Sequence, residues 1–167
     1  MVLEIIKSRR SIRKFTETPI PAEVLTSLLE AARWAPSGGN NQPWAFVVLR
    51  EPANIRKVKM FSPGLGGVPT AIIVICSDRS VADSTAVMDV AMAAQNVMLA
   101  ATDSGLGSCV VRSHNQSALQ TLLSLPAQIV PELIVTLGYP AKEARNPGRH
   151  PIEELVHWEE YGGQLDE

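Results

Sequence analysis

The sequence predicts an α+β fold, a sandwich of one sheet with helices packed on it. Three observations predict it. Runs dense in apolar and β-branched residues at 44–49, 70–77, 108–112 and 130–138 read as strands. Segments between them carry apolar residues at three- and four-residue spacing and read as helices. The first two helical segments also precede any strand, which departs from the strand–helix–strand rhythm of a doubly wound nucleotide fold.

Taken in order, residues 2–8 read as a short helix with Leu3, Ile6 and Lys7 on one face. The basic run Arg9-Arg10-Ser11-Ile12-Arg13-Lys14 follows, and Thr18-Pro19-Ile20-Pro21 breaks the chain. Pro21 suits the first turn of a second helix, striped by Val24, Leu25, Leu28, Leu29 and Ala32 and stopped at Pro36. A polar loop, Ser37-Gly38-Gly39-Asn40-Asn41-Gln42-Pro43, leads to the strand at 44–49. Residues 52–60 read as a short helix, and 61–69, with three glycines and two prolines, as a loop. After the strand at 70–77, Asp83 or Ser84 is a candidate cap for a long helix to Ser104, closed by Gly105. A short strand at 108–112, a helix at 116–123 and a strand at 130–138 complete the pattern. Beyond Tyr139-Pro140 the chain turns polar, and only 152–158 reads as ordered.

Composition narrows the classes. With 167 residues, 46% hydrophobic and 19% charged, the chain is expected to form one domain over 1–167, with 142–167 as a tail. A net charge of −2 argues against nucleic acid or an acidic membrane as the main partner. The most apolar long stretch, 87–102, is broken by Asp89, Gln95 and Asn96, and falls short of the ~20 residues of a membrane span. No signal-peptide pattern opens the sequence. Cys76 and Cys109 lie far apart without a CxxC neighbour, so buried free thiols are expected in place of a disulfide or zinc site. These readings together give a cytoplasmic globular protein.

Four clusters carry chemistry. Arg9-Arg10-Ser11-Ile12-Arg13 offers planar guanidinium forks and a hydroxyl suited to a phosphate; in isolation, a solvated charge run is the plainer reading. Adjacent glycines in the loop at 36–44 let backbone N–H groups approach a ligand, and Asn40, Asn41 and Gln42 offer donors and acceptors for a flat heterocycle. An ordinary turn explains it equally well. Gly105-Leu106-Gly107-Ser108 ends a helix, so a glycine C-cap accounts for it without a ligand. Arg149-His150-Pro151 says little alone. His114 and His157 have no Ser or Asp partner that the sequence can place, so no catalytic triad is expected.

The order of these clusters is more specific than any one of them. RRSIR, then PSGGNNQPW one helix later, GLGSC after a long helix, LGYP, and a late basic pair before Pro-Ile-Glu-Glu-Leu resemble the FMN-dependent nitroreductase family, through nearly the whole chain. The resemblance implies a mostly antiparallel sheet flanked by helices, in an intimate, domain-swapped type of homodimer with FMN at the subunit interface. It implies that Arg9, Ser11 and Arg149 anchor the flavin phosphate. Arg10 and Arg13 would contact the phosphate, ribityl chain or pyrimidine side. Pro36, Ser37, Gly38, Asn40 and Gln42 would line the flavin, from the partner subunit. The backbone of Val111, Arg112 and Ser113 would lie near the reactive N5, with no side-chain nucleophile. NADH or NADPH would be the electron donor, and nitroaromatics, quinones or similar small molecules the acceptors.

Three departures qualify that expectation. His150 stands where the family often has a second basic residue, implying weaker or pH-sensitive phosphate affinity. Arg112 stands where some relatives are acidic. The loop at 61–69 is too brief to roof a flavin, implying an open site. A flavin store or sensor without turnover would use the same binding residues, and the scaffold also resembles flavin-fragmenting enzymes, reductive dehalogenases and azoline oxidases. Size independently favours a dimer, since a domain this small buries only about 68–70% of its unfolded surface. Trp34, Trp44 and Trp158, all near expected element ends, are candidate interface aromatics.

Overall fold

The computed structural model describes residues 1–82 and 85–164. Its elements follow the order α1 (Val2–Ser8), α2 (Ala22–Arg33), β1 (Trp44–Leu49), α3 (Pro52–Met60), β2 (Ala71–Asp78), α4 (Ala86–Asp103), β3 (Gly107–Val111), α5 (Gln116–Leu122) and β4 (Ile129–Gly138). Short 3-10 turns occur at Gly38–Asn40 and Ile152–Glu154. The expected α+β class is therefore observed.

All three strand pairings are antiparallel, in the order β1-β2-β4-β3. Alternation along β2 divides the core. Ala71, Ile73 and Ile75 join Leu25, Leu28, Val90 and Val97 of α2 and α4 on one face. Ile72, Val74 and Cys76 join Ile55, Val58 and Leu119 of α3 and α5 on the other. Both central strands are thus buried on two sides, which is why they read as continuous apolar runs. The β2–β4 register shifts between Ile75 and Cys76, so that Glu132 has no Cα partner. That bulge turns the Glu132 carboxylate toward Ser77 Oγ, which donates to it at 2.7 Å, and toward the Arg79 guanidinium.

Local chemistry explains most boundaries. Pro21 stands at the N-cap of α2. Pro52 opens α3, where its missing N–H costs nothing. Asn115 Oδ1 accepts the Ala118 N–H and caps α5. Thr85 is the N-cap of α4; the expected caps Asp83 and Ser84 lie outside the described residues. Gly105 has φ +73°, the left-handed position that ends a helix. One packing expectation fails: α1 buries no residue, and Leu3 and Ile6 are about half exposed. Cys76 and Cys109 are buried free thiols. Among the described residues, no helix is long and apolar enough to cross a membrane.

Candidate anion and flavin site

After α1 the basic segment runs beside β3. Ser11 bridges Ser108 in parallel, and the Ile12 N–H donates to the Ser108 carbonyl at 2.8 Å. It then crosses the end of β4, where Phe15 pairs with Pro140 and the Thr16 N–H donates to Tyr139 O at 2.8 Å. Two glycines permit this path. A Cβ at Gly107 would stand 2.7 Å from Ile12, and one at Gly67 would stand 2.0 Å from the Arg13 carbonyl oxygen. Gly67 also has φ +70°, which an L side chain disfavours. The expected roofless loop at 61–69 therefore has a different use. It clasps the basic segment at Arg13 and meets the end of β3 at Gly64, which packs on Ser113 and Val111.

This path gathers charge around a cavity of about 630 Å3. Arg9, Arg10, Ser11, Arg13 and Arg149 all line it, so residues some 140 positions apart in sequence converge there. Lys14, Lys142 and Arg145 add to the lining, and among the described residues Glu143 is the one carboxylate there. The buried Ser108 hydroxyl, whose residue bridges Ser11, has no hydrogen-bond partner among the described residues. Arg10 is partly committed: its Nη1 donates to Arg9 O at 2.8 Å and also to Lys7 O at the end of α1. Lys142 and Arg145 were missed by the sequence reading, although a basic pair in a polar tail near Arg149 was a visible signal. His150 is absent from the lining and instead faces Glu154 Oε2 at 3.3 Å.

The remaining candidates lie elsewhere. Arg112 and Ser113, just past β3, line a separate hollow with His114, Gln116 and the buried Glu132. His114 donates from Nε2 to Pro131 O at 3.0 Å. Val111 is buried within β3. Pro36, Ser37, Gly38, Asn40 and Gln42 form a partly exposed loop that does not line the basic cavity. The loop is nonetheless built: Gly38 N–H donates to Asp89 Oδ1 at 3.3 Å, and Gln42 N–H to Ser37 Oγ at 3.0 Å. Asn40 and Gln42 have φ of +56° and +50°. Such left-handed residues are strained and concentrate at functional sites.

Fold and cavity together define a class: a helix-flanked antiparallel sheet with a strongly basic cavity beside its β3 edge. Comparison with known proteins gives the family. The nitroreductase family model matches residues 6–62 and 56–139. A Methanothermobacter thermautotrophicus protein, provisionally named an NADH dehydrogenase/NAD(P)H nitroreductase, is 34% identical over 96% of this chain and 87% of its own length. A similarly named Archaeoglobus fulgidus protein is 36% identical over 84% of this chain and 86% of its own. The solved FMN-dependent nitroreductase of Clostridium difficile R20291 superposes with a TM-score of 0.87 at 26% identity, covering 95% of this chain and 99% of that one. The chain belongs to the nitroreductase family.

Proposed function

We propose that this protein is an FMN-dependent oxidoreductase that takes electrons from NADH or NADPH and passes them to nitroaromatics, quinones or similar small acceptors. The observation that carries the reading is the convergence of Arg9, Arg10, Ser11, Arg13 and Arg149 on one cavity. A phosphate monoester needs planar cationic forks and hydroxyl donors, and this lining supplies both. The names of its relatives point the same way: one is an FMN-dependent nitroreductase, another an FMN reductase [NAD(P)H].

FMN supplies hydride and electron transfer when bound. Arg9, Arg149 and the Ser11 hydroxyl would hold its phosphate, and Arg13 would place positive charge near its ring. The backbone at Val111, Arg112 and Ser113 would border its reacting end, and no side chain would be needed as a nucleophile. The loop from Pro36 to Gln42 lies apart from its own chain's cavity, which supports a homodimer in which each loop completes the partner's site. Exposed Met88 and Met92 on α4, at 66% and 53%, are apolar surface for that interface. Ile152, Leu155 and Trp158 give the tail apolar groups to lay on the partner. One open face serving donor and acceptor in turn predicts ping-pong kinetics.

The test is the visible spectrum of purified protein, before and after anaerobic NADH and then NADPH. Flavin bands bleached by a nicotinamide and restored by a quinone or nitroaromatic are expected. Arg149→Gln should weaken FMN binding about 10- to 150-fold, the equivalent of one charge-assisted hydrogen bond of about 1.5–3 kcal/mol. A yellow protein that neither nicotinamide bleaches would indicate a flavin store, and a colourless one that cannot be reconstituted would refute the reading.

A further inference from the structure

A second, larger cavity of about 1120 Å3 lies beyond Arg13, between the basic segment, α3 and the loop that precedes β2. Its walls differ in kind from those of the phosphate cavity. Phe15, Pro19, Ile55, Val68 and Pro69 give it an apolar lining, whereas Lys14, Arg50, Arg56 and Lys59 supply cations against, among the described residues, a single carboxylate, Glu17. Two of those cations are held in place by backbone. Lys59 Nζ donates to Gly67 O at 2.7 Å, and Arg50 Nη2 to Ile20 O at 3.1 Å. Each keeps further donors unspent, because an ammonium has three N–H groups and a guanidinium five. None of the four cations belongs to an ion pair among the described residues. Thr70 lines the same space, and its buried hydroxyl oxygen has no hydrogen-bond partner among the described residues.

An apolar wall beside fixed, unneutralised donors selects an amphipathic anion: a bare ion would leave the wall unused, and a neutral hydrocarbon would leave the donors unpaired. We propose that this second cavity binds a flat organic anion, an aryl carboxylate or sulfonate. Its ring lies against Phe15, Ile55 and Val68, and its charge is taken by Arg56, Lys59 and Arg50. The site is distinct from the phosphate cavity and shares only the Arg13–Lys14 stretch with it.

The probe is 2-naphthoate, titrated calorimetrically into the full-length protein with and without saturating FMN. Binding in both conditions is expected, with the neutral isostere 2-naphthamide at least tenfold weaker. Arg56 is exposed, so Arg56→Gln leaves the fold intact and should weaken naphthoate at least fivefold, whereas Arg56→Lys should restore most of it. Val68 is 74% exposed, and Val68→Glu should abolish binding by placing a carboxylate on the wall. Arg149→Gln should leave naphthoate affinity unchanged. No binding, equal binding of the amide, indifference to both Arg56→Gln and Val68→Glu, or displacement of naphthoate by FMN would each overturn the proposal. None of these readouts requires the redox activity, so the two readings fail separately.

Discussion

Replacing Gly67 by alanine tests whether the loop before β2 holds the basic segment in place. The new Cβ would stand 2.0 Å from the Arg13 carbonyl oxygen. Carbon–oxygen contacts in proteins are tolerated at about 3.3 Å and beyond, so loop and segment must separate by roughly 1.3 Å. The left-handed backbone at Gly67 adds about 1–2 kcal/mol for any residue with a Cβ, and overpacking of this kind costs about 1–3 kcal/mol more. A loss of at least about 2 kcal/mol follows, a fall in Tm of about 4–8 °C for a chain of this size. Gly66→Ala is the internal control. Its Cβ would lie 3.4 Å from the Arg13 side chain, near ordinary contact, and Gly66 has no positive φ. That change should stay within about 0.5 kcal/mol. Urea unfolding of both variants measures the difference, with equal m values as the check that only stability has moved. Because Arg13 shifts with its carbonyl, Gly67→Ala should also weaken FMN binding and Gly66→Ala should not. Equal midpoints for the two variants would refute the clasp.

Three further predictions concern the scaffold. Asn115→Ala removes the cap of α5 and should lower stability by about 1 kcal/mol in urea unfolding; no change would mean that α5 is held by Leu119 alone. Burial, with the nearby Glu132 charge adding to it, pushes the Cys76 thiol up to about 12. It should therefore resist a disulfide reagent at pH 8 until the protein is unfolded, and rapid labelling of native protein would contradict the packing of β2. Hydrogen bonds from Arg33, and then from Trp34, hold the Glu30 carboxyl down at about 2, against an ordinary value of 4.5. A depressed folded-state value stabilises above pH 4.5, and that contribution is lost as pH falls toward 2. Carboxyl NMR should show the Glu30 midpoint rising in Arg33→Ala; an unmoved midpoint would exclude the pair in solution.

Much of the fold was legible because punctuation and burial agree. Pro21, Pro36, Pro52 and Gly105 mark ends that the backbone must observe, and the strand runs are long enough to exclude a surface reading. Strand direction was not legible from the runs themselves. Ile73 and Val135 are buried on one face of the sheet and Val74 and Ile134 on the other, as central strands would be in a parallel arrangement; the antiparallel order came from the resemblance. The apolar face of α1 misled, since Leu3 and Ile6 have the right spacing, but α1 meets α4 only lightly and leaves both about half exposed. Spacing reports that a face exists and says nothing of what covers it.

The candidate site divides along the same line. Arg9 to Arg13 could be read as a phosphate segment because its donors are contiguous. Lys142 and Arg145 gave only a weaker signal, a basic pair in a polar tail, because the turn of the chain after β4 is what carries them across. The glycines at 64 and 67 read as loop breakers, and their structural reason is a close approach to residues more than 40 positions away. The loop from Ser37 to Gln42 poses the complementary case. It holds Asn40 and Gln42 in left-handed backbone, fixes itself on Asp89, and yet lines no part of the basic cavity of its own chain. Ordering an exposed loop in a left-handed shape has a cost, met within one chain by a few exposed hydrogen bonds to Asp89, Ser37 and Asn40. A second copy of the chain would offset it further, if that loop closes over the neighbour's flavin. The proposed dimer therefore rests on the same residues as the proposed cofactor, and Asn40→Gly should relax the strain while weakening FMN.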